Sequence, residues 1–357
     1  LWSARAFELD PTQPELHETL ERVAEQTGKV EALVDLYRGA LKGGRLVDAL
    51  AMRQRTARLL DEGLGRPEEA LRDWEEVLQG DPTNADALHA IERLYTQMGR
   101  FQDLLAILDR RRGIAASAEE ENQILVHIAR VWEEALNNRD QAIAVYRQVL
   151  DARGDDPEIL RALQRLYEDA ERWAELLEMV ERQRMLAEPG SSEYRDLVFR
   201  MAQICQTRLG DVGRAVEGYR SILEEDPAFQ PAVDALEPAL ADAEHRVEVA
   251  GLLAGIFEQR EDWQNLVRVT EVLVDVADLA DEKIGHLRRI AEIQVQRLGQ
   301  PDRAFETHQR ALRLSPQDEQ VLADLEQLAS VLDAWPAMTK LLVEVVEKVE
   351  ERDVRLR

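Results

Sequence analysis

The sequence predicts an all-α fold, an α-solenoid of antiparallel helix pairs, on three recurrences along its 357 residues. Turn marks return at Asp10-Pro11, Asp81-Pro82, Asp156-Pro157, Asp226-Pro227 and Ser315-Pro316, with proline steps of 71, 75, 70 and 89 residues. Small residues stand 13 apart at Ala57 and Ala70, Ala129 and Ala142, Ala202 and Ala215, and Ala291 and Ala304. A large side chain follows the second alanine by four positions at Trp74, Tyr146, Tyr219 and His308. From Ala70 to Leu104, Ala142 to Leu176 and Ala304 to Met338 the step is 34 residues each time.

Each recurrence has a physical reason. Small residues on successive helices let the axes approach closely, and the bulky neighbour fills the groove beside them. Between each alanine pair lies a breaker: Gly65-Arg66-Pro67, Asn137-Asn138, Gly210 or Gly299-Gln300-Pro301. Glycine or asparagine closes the first helix, and proline suits the first turn of the next. A second kind of repeat alternates with this one. Leu88, Ile91, Tyr95, Gly99, Phe101, Leu104 and Leu108 keep helical spacing on both sides of a turn glycine. The same frame returns at Leu20 to Tyr37, Leu160 to Val180 and Leu322 to Leu342.

The segments most like loops, Lys42-Gly43-Gly44, 113–120, 188–192 and 278–282, are too short to link domains, so residues 1–357 read as one continuous array. The long step of 89 leaves room for an extra helix, placed at 246–259. Its apolar residues run nearly all the way round, which demands cover on several sides. That helix is read first as a wedge in the core, and second as an apolar docking site at Leu253, Ile256 and Phe257. Residues 1–9 match the close of a repeat and 343–357 the start of another. Both ends therefore look cut, and end-to-end self-association is an expectation.

A 34-residue helix–turn–helix carrying Tyr95, Gly99, Ala70, Trp74 and Pro82 at these places resembles the tetratricopeptide repeat family. The resemblance covers essentially the whole chain and implies a right-handed superhelix that binds protein segments in its concave groove. Two departures stand out. The alanine-type repeat has one extra residue between its landmarks, and the Leu/Trp type lacks the small residue in its second helix. The working unit is thus a pair of repeats.

Composition narrows the function. Charged residues are 32% and hydrophobic ones 45%, so a packed core is affordable and disorder is excluded. Arginine far outnumbers lysine and alanine is abundant, the bias of a GC-rich bacterial genome. A net charge of −26 opposes non-specific nucleic-acid binding. No apolar run approaches membrane-spanning length, so no membrane insertion is expected. With a single cysteine, Cys205, compartment stays open, with the cytoplasm ahead of the periplasm. No two of the six histidines stand three or four apart, and there is no phosphate-cradling glycine loop. No catalytic, cofactor or metal site is expected.

The most informative polar feature is an arginine row: Arg22, Arg58, Arg93, Arg130 and Arg165, once per repeat. In the resembling family this part of the first helix lines the groove, so the row implies capture of an acidic peptide segment by bidentate guanidinium contacts. The competing account is ion pairing with acids one turn on, such as Asp61 and Glu62 after Arg58, each pair worth about 0.2–0.5 kcal/mol. Arg93, followed by Thr96 and Gln97, is least neutralised on this count. Arg58, Arg93 and Arg130 are the predicted partner-binding residues. The leading reading is a non-enzymatic protein-binding scaffold. The alternatives are a spacer or self-assembly element of a larger machine, the substrate-recruiting array of a larger enzyme, and, last, a scaffold of the half-a-tetratricopeptide kind in RNA processing.

Overall fold

A computed structural model describes residues 5, 7, 13–43 and 48–355, among which there are nineteen α-helices and no strand. Asp10-Pro11, Gly44 and all of residues 1–9 except Arg5 and Phe7 lie outside the described residues. Contacts divide the chain into two compact units, Leu1–Ile159 and Leu160–Arg357. None of the described helices is long and apolar enough to cross a membrane.

Helices alternate between the two repeat kinds. In the first unit α1 (Pro14–Thr27) and α2 (Val30–Lys42) form a Leu/Trp-type pair. An alanine-type pair follows, α3 (Ala49–Arg58) with α4 (Pro67–Gly80). Then come α5 (Ala85–Gln97) with α6 (Phe101–Gly113), and α7 (Ala118–Arg130) with α8 (Arg139–Arg153). Helix α9 (Pro157–Asp169) leads into the second unit, which holds α10 (Trp173–Leu186), α11 (Ser192–Ile204) and α12 (Val212–Glu225). After these come α13 (Gln230–Leu236), α14 (Arg246–Gln259), α15 (Trp263–Val276), α16 (Ala280–Gln296), α17 (Pro301–Leu314), α18 (Glu319–Leu332) and α19 (Trp335–Arg355). Helix starts are capped by side-chain oxygens, as at Asn84, Ser117, Ser191 and Asp318, which accept from otherwise unpaired backbone N–H groups.

The alanine landmarks are the closest points of the fold. All eight are at most 2% exposed, and Trp74, Tyr146, Tyr219 and His308 are buried beside them. At Gly218, a Cβ would come within 3.0 Å of the Ala202 Cβ, so these helices touch almost backbone to side chain.

The extra residue of the alanine-type repeat has a definite form. Helices α3, α7 and α11 each run into one π-helical turn, at Leu59–Gly63, Val131–Ala135 and Cys205–Leu209. Just beyond it, Arg66, Asn138 and Asp211 donate their backbone N–H to the carbonyl six residues back, at 2.8, 2.7 and 2.9 Å. Helix α16 closes alike, with Gln300 donating to Gln294 at 2.7 Å. A π turn absorbs one residue without turning the landmarks away from the core.

Leu/Trp-type hairpins close differently. The N–H groups of Lys29, Arg100, Arg172, Asp262 and Ala334 reach the carbonyl five residues back, and the residue just before each of them turns left-handed. Gly28 and Gly99 supply that conformation freely, whereas Glu171, Glu261 and Asp333 adopt it at φ of 54°, 56° and 55°. The helix read at 246–259 therefore has a regular setting. Its hairpin with α15, through Glu261, repeats the hairpin of α9 with α10 through Glu171. The segment without a counterpart is the short α13 with its 3₁₀ turn, Glu237–Ala241. Leu253, Ile256 and Phe257 are buried at 0%, 6% and 3% exposure. Their apolar surface is used inside the fold, and the docking site read there is corrected: of that helix's large apolar residues, Val247 is the exposed one.

His308 stands where the other alanine-type repeats put an aromatic ring. Among the described residues its Nδ1 has no hydrogen-bond partner, and its Nε2 lies 4.0 Å from Asp324. Burial pushes the imidazole below its ordinary pKa; Asp324 and Asp318 oppose that shift and Arg288 assists it. The folded state thus takes up this proton less readily than the unfolded chain, so stability falls as pH drops through about 6.5 and below. Thermal unfolding followed at pH 7.5 and 5.5 should show a smaller acid loss in His308→Phe than in the parent chain. Equal losses would refute this account.

Candidate functional site

Arg58, Arg93 and Arg130 all lie in the first unit, on first helices of successive repeats or at their ends. Arg58 donates to Asp86 in the first turn of α5 at 3.3 Å. Arg93 on α5 donates to Asp61, which sits in the π turn after α3. The acids that sequence spacing assigns to the same helix are therefore used between repeats. Arg93, least neutralised by its own helix, takes its carboxylate from the preceding repeat: an i,i+3 count along one helix cannot see a partner 32 residues away.

Such stitching recurs. Arg55 reaches Glu21 at 2.8 Å, and Arg38 reaches Glu69 and Asp73 at 2.8 and 3.2 Å. In the second unit Arg200 pairs with Glu168, Arg289 with Glu258 and Arg310 with Glu271. Exposed pairs of this kind contribute roughly 0.2–1 kcal/mol each, so their main effect is to fix the register of neighbouring repeats.

Arg130 differs. It is exposed at the end of α7 and has no ion pair or hydrogen bond among the described residues. One turn earlier His127 donates from Nδ1 to Glu92 Oε1 at 3.3 Å, and Glu92 also accepts from Arg111 of α6. Burial pushes the Glu92 carboxyl up, but the bonds from His127 and Arg111 outweigh it and hold the group below its ordinary value. Glu92 therefore stays ionised and ties α5, α6 and α7 together. Beside it His89, Glu92, Arg93, Thr96 and Gln97 line a concavity of about 290 Å³. A larger one, about 460 Å³, lies between the first two repeats and mixes Arg55 and Arg58 with Glu21, Glu25 and Glu62. Spacing singles out the arginines but not His127 or Glu92. A histidine weighed only as a metal ligand gives no sign of a polar bridge between repeats.

No three His, Cys, Asp or Glu side chains converge as a metal site among the described residues. Cys205 is 3% exposed, and burial, only partly offset by Arg214, pushes its thiol up.

Paired helices, alternating closures and polar stitching between repeats define a helical-repeat protein. Residues 87–115 and 125–160 match the family described as Tetratricopeptide repeat. Those two segments carry tetratricopeptide repeats. No curated protein matches the chain significantly. Among solved structures, that of Naa15/Naa10 bound to HypK-THB is 13% identical, with a TM-score of 0.43, over 96% of this chain. This chain spans 59% of the length of that one. YrrB, a tetratricopeptide protein described as having an unusual peptide-binding site, is 14% identical at a TM-score of 0.31, covering 56% of this chain and 96% of its own. A tetratricopeptide repeat protein from Parabacteroides merdae is 12% identical at 0.32, covering 78% of this chain and 98% of its own.

Proposed function

We propose that the chain is a protein-interaction scaffold whose first unit captures an acidic peptide segment across α5 and α7, at Arg93 and Arg130. The observation that carries this reading is Arg130, an exposed guanidinium without a carboxylate in a protein that pairs many of its arginines between repeats. Arg93 lies on the preceding first helix, α5, and His127 one turn before Arg130 on α7 itself, and each still has exposed surface. Arg58 belongs to the same row and is held by Asp86, as Arg93 is by Asp61.

A guanidinium fork donates to both oxygens of a carboxylate, which favours Asp or Glu side chains or a C-terminal carboxylate over neutral polar groups. The −26 charge repels such a ligand at long range. At physiological ionic strength that repulsion is screened beyond about 8 Å, so recognition rests on contact-range geometry. The test uses a fluorescein-labelled Glu-rich decapeptide and anisotropy titration of the intact chain. Saturable binding should be lost, at least about tenfold, in the Arg93→Glu, Arg130→Glu double variant, with its helical circular dichroism unchanged. Equal binding by the variant would remove the groove reading.

A further inference from the structure

Helical spacing decides which side chains of α5 line the 290 Å³ concavity: His89, Glu92, Arg93, Thr96 and Gln97 stand at i, i+3, i+4, i+7 and i+8. Three of these five have settled partners. Glu92 accepts from His127 and Arg111, Arg93 donates to Asp61, and the Thr96 hydroxyl donates to the Glu92 carbonyl at 2.8 Å. His89 does not. It is exposed, and no ion pair or hydrogen bond reaches its ring among the described residues. It stands one turn before Arg93, so imidazole and guanidinium open on the same space.

The charges set around the two histidines of this groove come from identifiable places. On α5 itself, Asp86 precedes His89 by one turn, and its carboxylate accepts from Arg58. Helix α4, packed against α5, brings Glu75, which accepts from the Tyr95 hydroxyl, and the π turn after α3 brings Asp61, which holds Arg93. His127 faces Glu92 of α5 and Arg111 of α6, with Arg130 one turn on along its own helix. Helix α8, on the other side of α7, buries one ionisable group, Tyr146, which donates to Glu133. Because His127 Nδ1–H is committed to Glu92, a further proton goes to Nε2 and turns that hydrogen bond into an ion pair. Glu92 is the carboxylate in the wall of the concavity, so a proton on His127 reduces the repulsion an incoming carboxylate meets there.

We propose that His89 is a third ligand-contacting cation of the acidic-peptide groove, and that its protonation, together with that of His127, sets how tightly the groove holds an acidic segment. This rests on the capture by Arg93 and Arg130 proposed for the same groove. A guanidinium keeps its charge at every accessible pH, whereas an imidazole gains or loses its own near pH 6.5. A ligand carboxylate against the His89 ring favours the charged form, so binding and proton uptake strengthen each other. Capture is therefore strongest below the pKa of the free ring and weakens as pH rises through the raised pKa of the bound one. Both protons act at contact range, inside the roughly 8 Å beyond which salt screens the −26 charge of the chain.

The experiment titrates the fluorescein-labelled Glu-rich decapeptide against the intact chain at pH 6.0, 7.0 and 8.0 and fixed ionic strength, a range in which the peptide's own carboxylates stay ionised. The parent chain should bind about fivefold more tightly at pH 6.0 than at pH 8.0. His89→Gln should cut that ratio to about twofold, and the His89→Gln, His127→Gln double variant should show none. His89→Arg carries its charge throughout, so it should bind more tightly than the parent at pH 8.0 and lose most of the pH dependence. His89 is exposed, so helical circular dichroism should be the same in its variants as in the parent at each pH. Saturable binding that is equal at pH 6.0 and 8.0, or a pH dependence that His89→Gln leaves intact, would overturn this inference and leave the capture by Arg93 and Arg130 standing. No saturable binding at any of the three pH values would overturn the capture reading itself, and this inference with it.

Discussion

Tyr219→Ala is expected to destabilise the second unit by about 3–5 kcal/mol, whereas Tyr219→Phe should cost only about 0.5–1.5 kcal/mol. The ring is fully buried, in tilted contact with Phe199 at 5.7 Å between centres, and Phe199 in turn meets Phe229 edge-on at 5.6 Å. Its hydroxyl donates to Gln206 Oε1 at 3.0 Å, and Gln206 Nε2 donates to the Ala235 carbonyl at 2.8 Å. Burial, with a smaller contribution from Cys205, pushes the phenol up to about 12, so it remains a donor throughout the neutral range. Alanine would leave a cavity and an unpaired amide oxygen at one node joining the π turn, α12 and α13. Phenylalanine keeps the volume and loses one bond. Urea unfolding of the three chains measures both steps, and a Phe variant as damaged as the Ala variant would show that the hydrogen bond outweighs the packing.

How far these features were legible depends on the range over which residues act. Alanine pairs 13 apart and the 34-residue step report contacts within a repeat and to its neighbour, and every alanine so marked is buried. The extra residue of the alanine-type repeat was visible as a count, but only backbone bonding shows it as a π turn. A run of apolar residues drew attention to 246–259 as the surplus, yet the run reflects a helix covered on several sides. The irregular piece is Gln230–Ala241, where Pro238 falls just past the short α13 and its 3₁₀ turn replaces a longer helix. Arginine positions were readable and their partners were not. Arg93–Asp61 and Arg58–Asp86 join residues 32 and 28 apart, which only the stacking of repeats brings together.

Ala202→Leu should cost about 3 kcal/mol or more, although it adds only apolar atoms. Ala202 is 2% exposed, and its Cβ faces Gly218, where even one added carbon would sit 3.0 Å away. A leucine must place three further carbons in that gap, so either the side chain leaves its rotamer or α11 and α12 separate. Separation would strain the π turn that links them and lift the Arg208 guanidinium off Trp173. Ala174→Leu, on an exposed position of α10, adds the same atoms where they meet solvent and should change stability by less than about 0.5 kcal/mol. Chemical denaturation of the two variants side by side tests whether close axial approach, rather than helix propensity, is what the alanine landmarks provide. Leucine and alanine differ little as helix formers, so equal stabilities would overturn the packing account. If the cost is confined to the second unit, its transition should shift while the Leu1–Ile159 unit keeps its own, the behaviour of a stack in which each repeat is held chiefly by its neighbours.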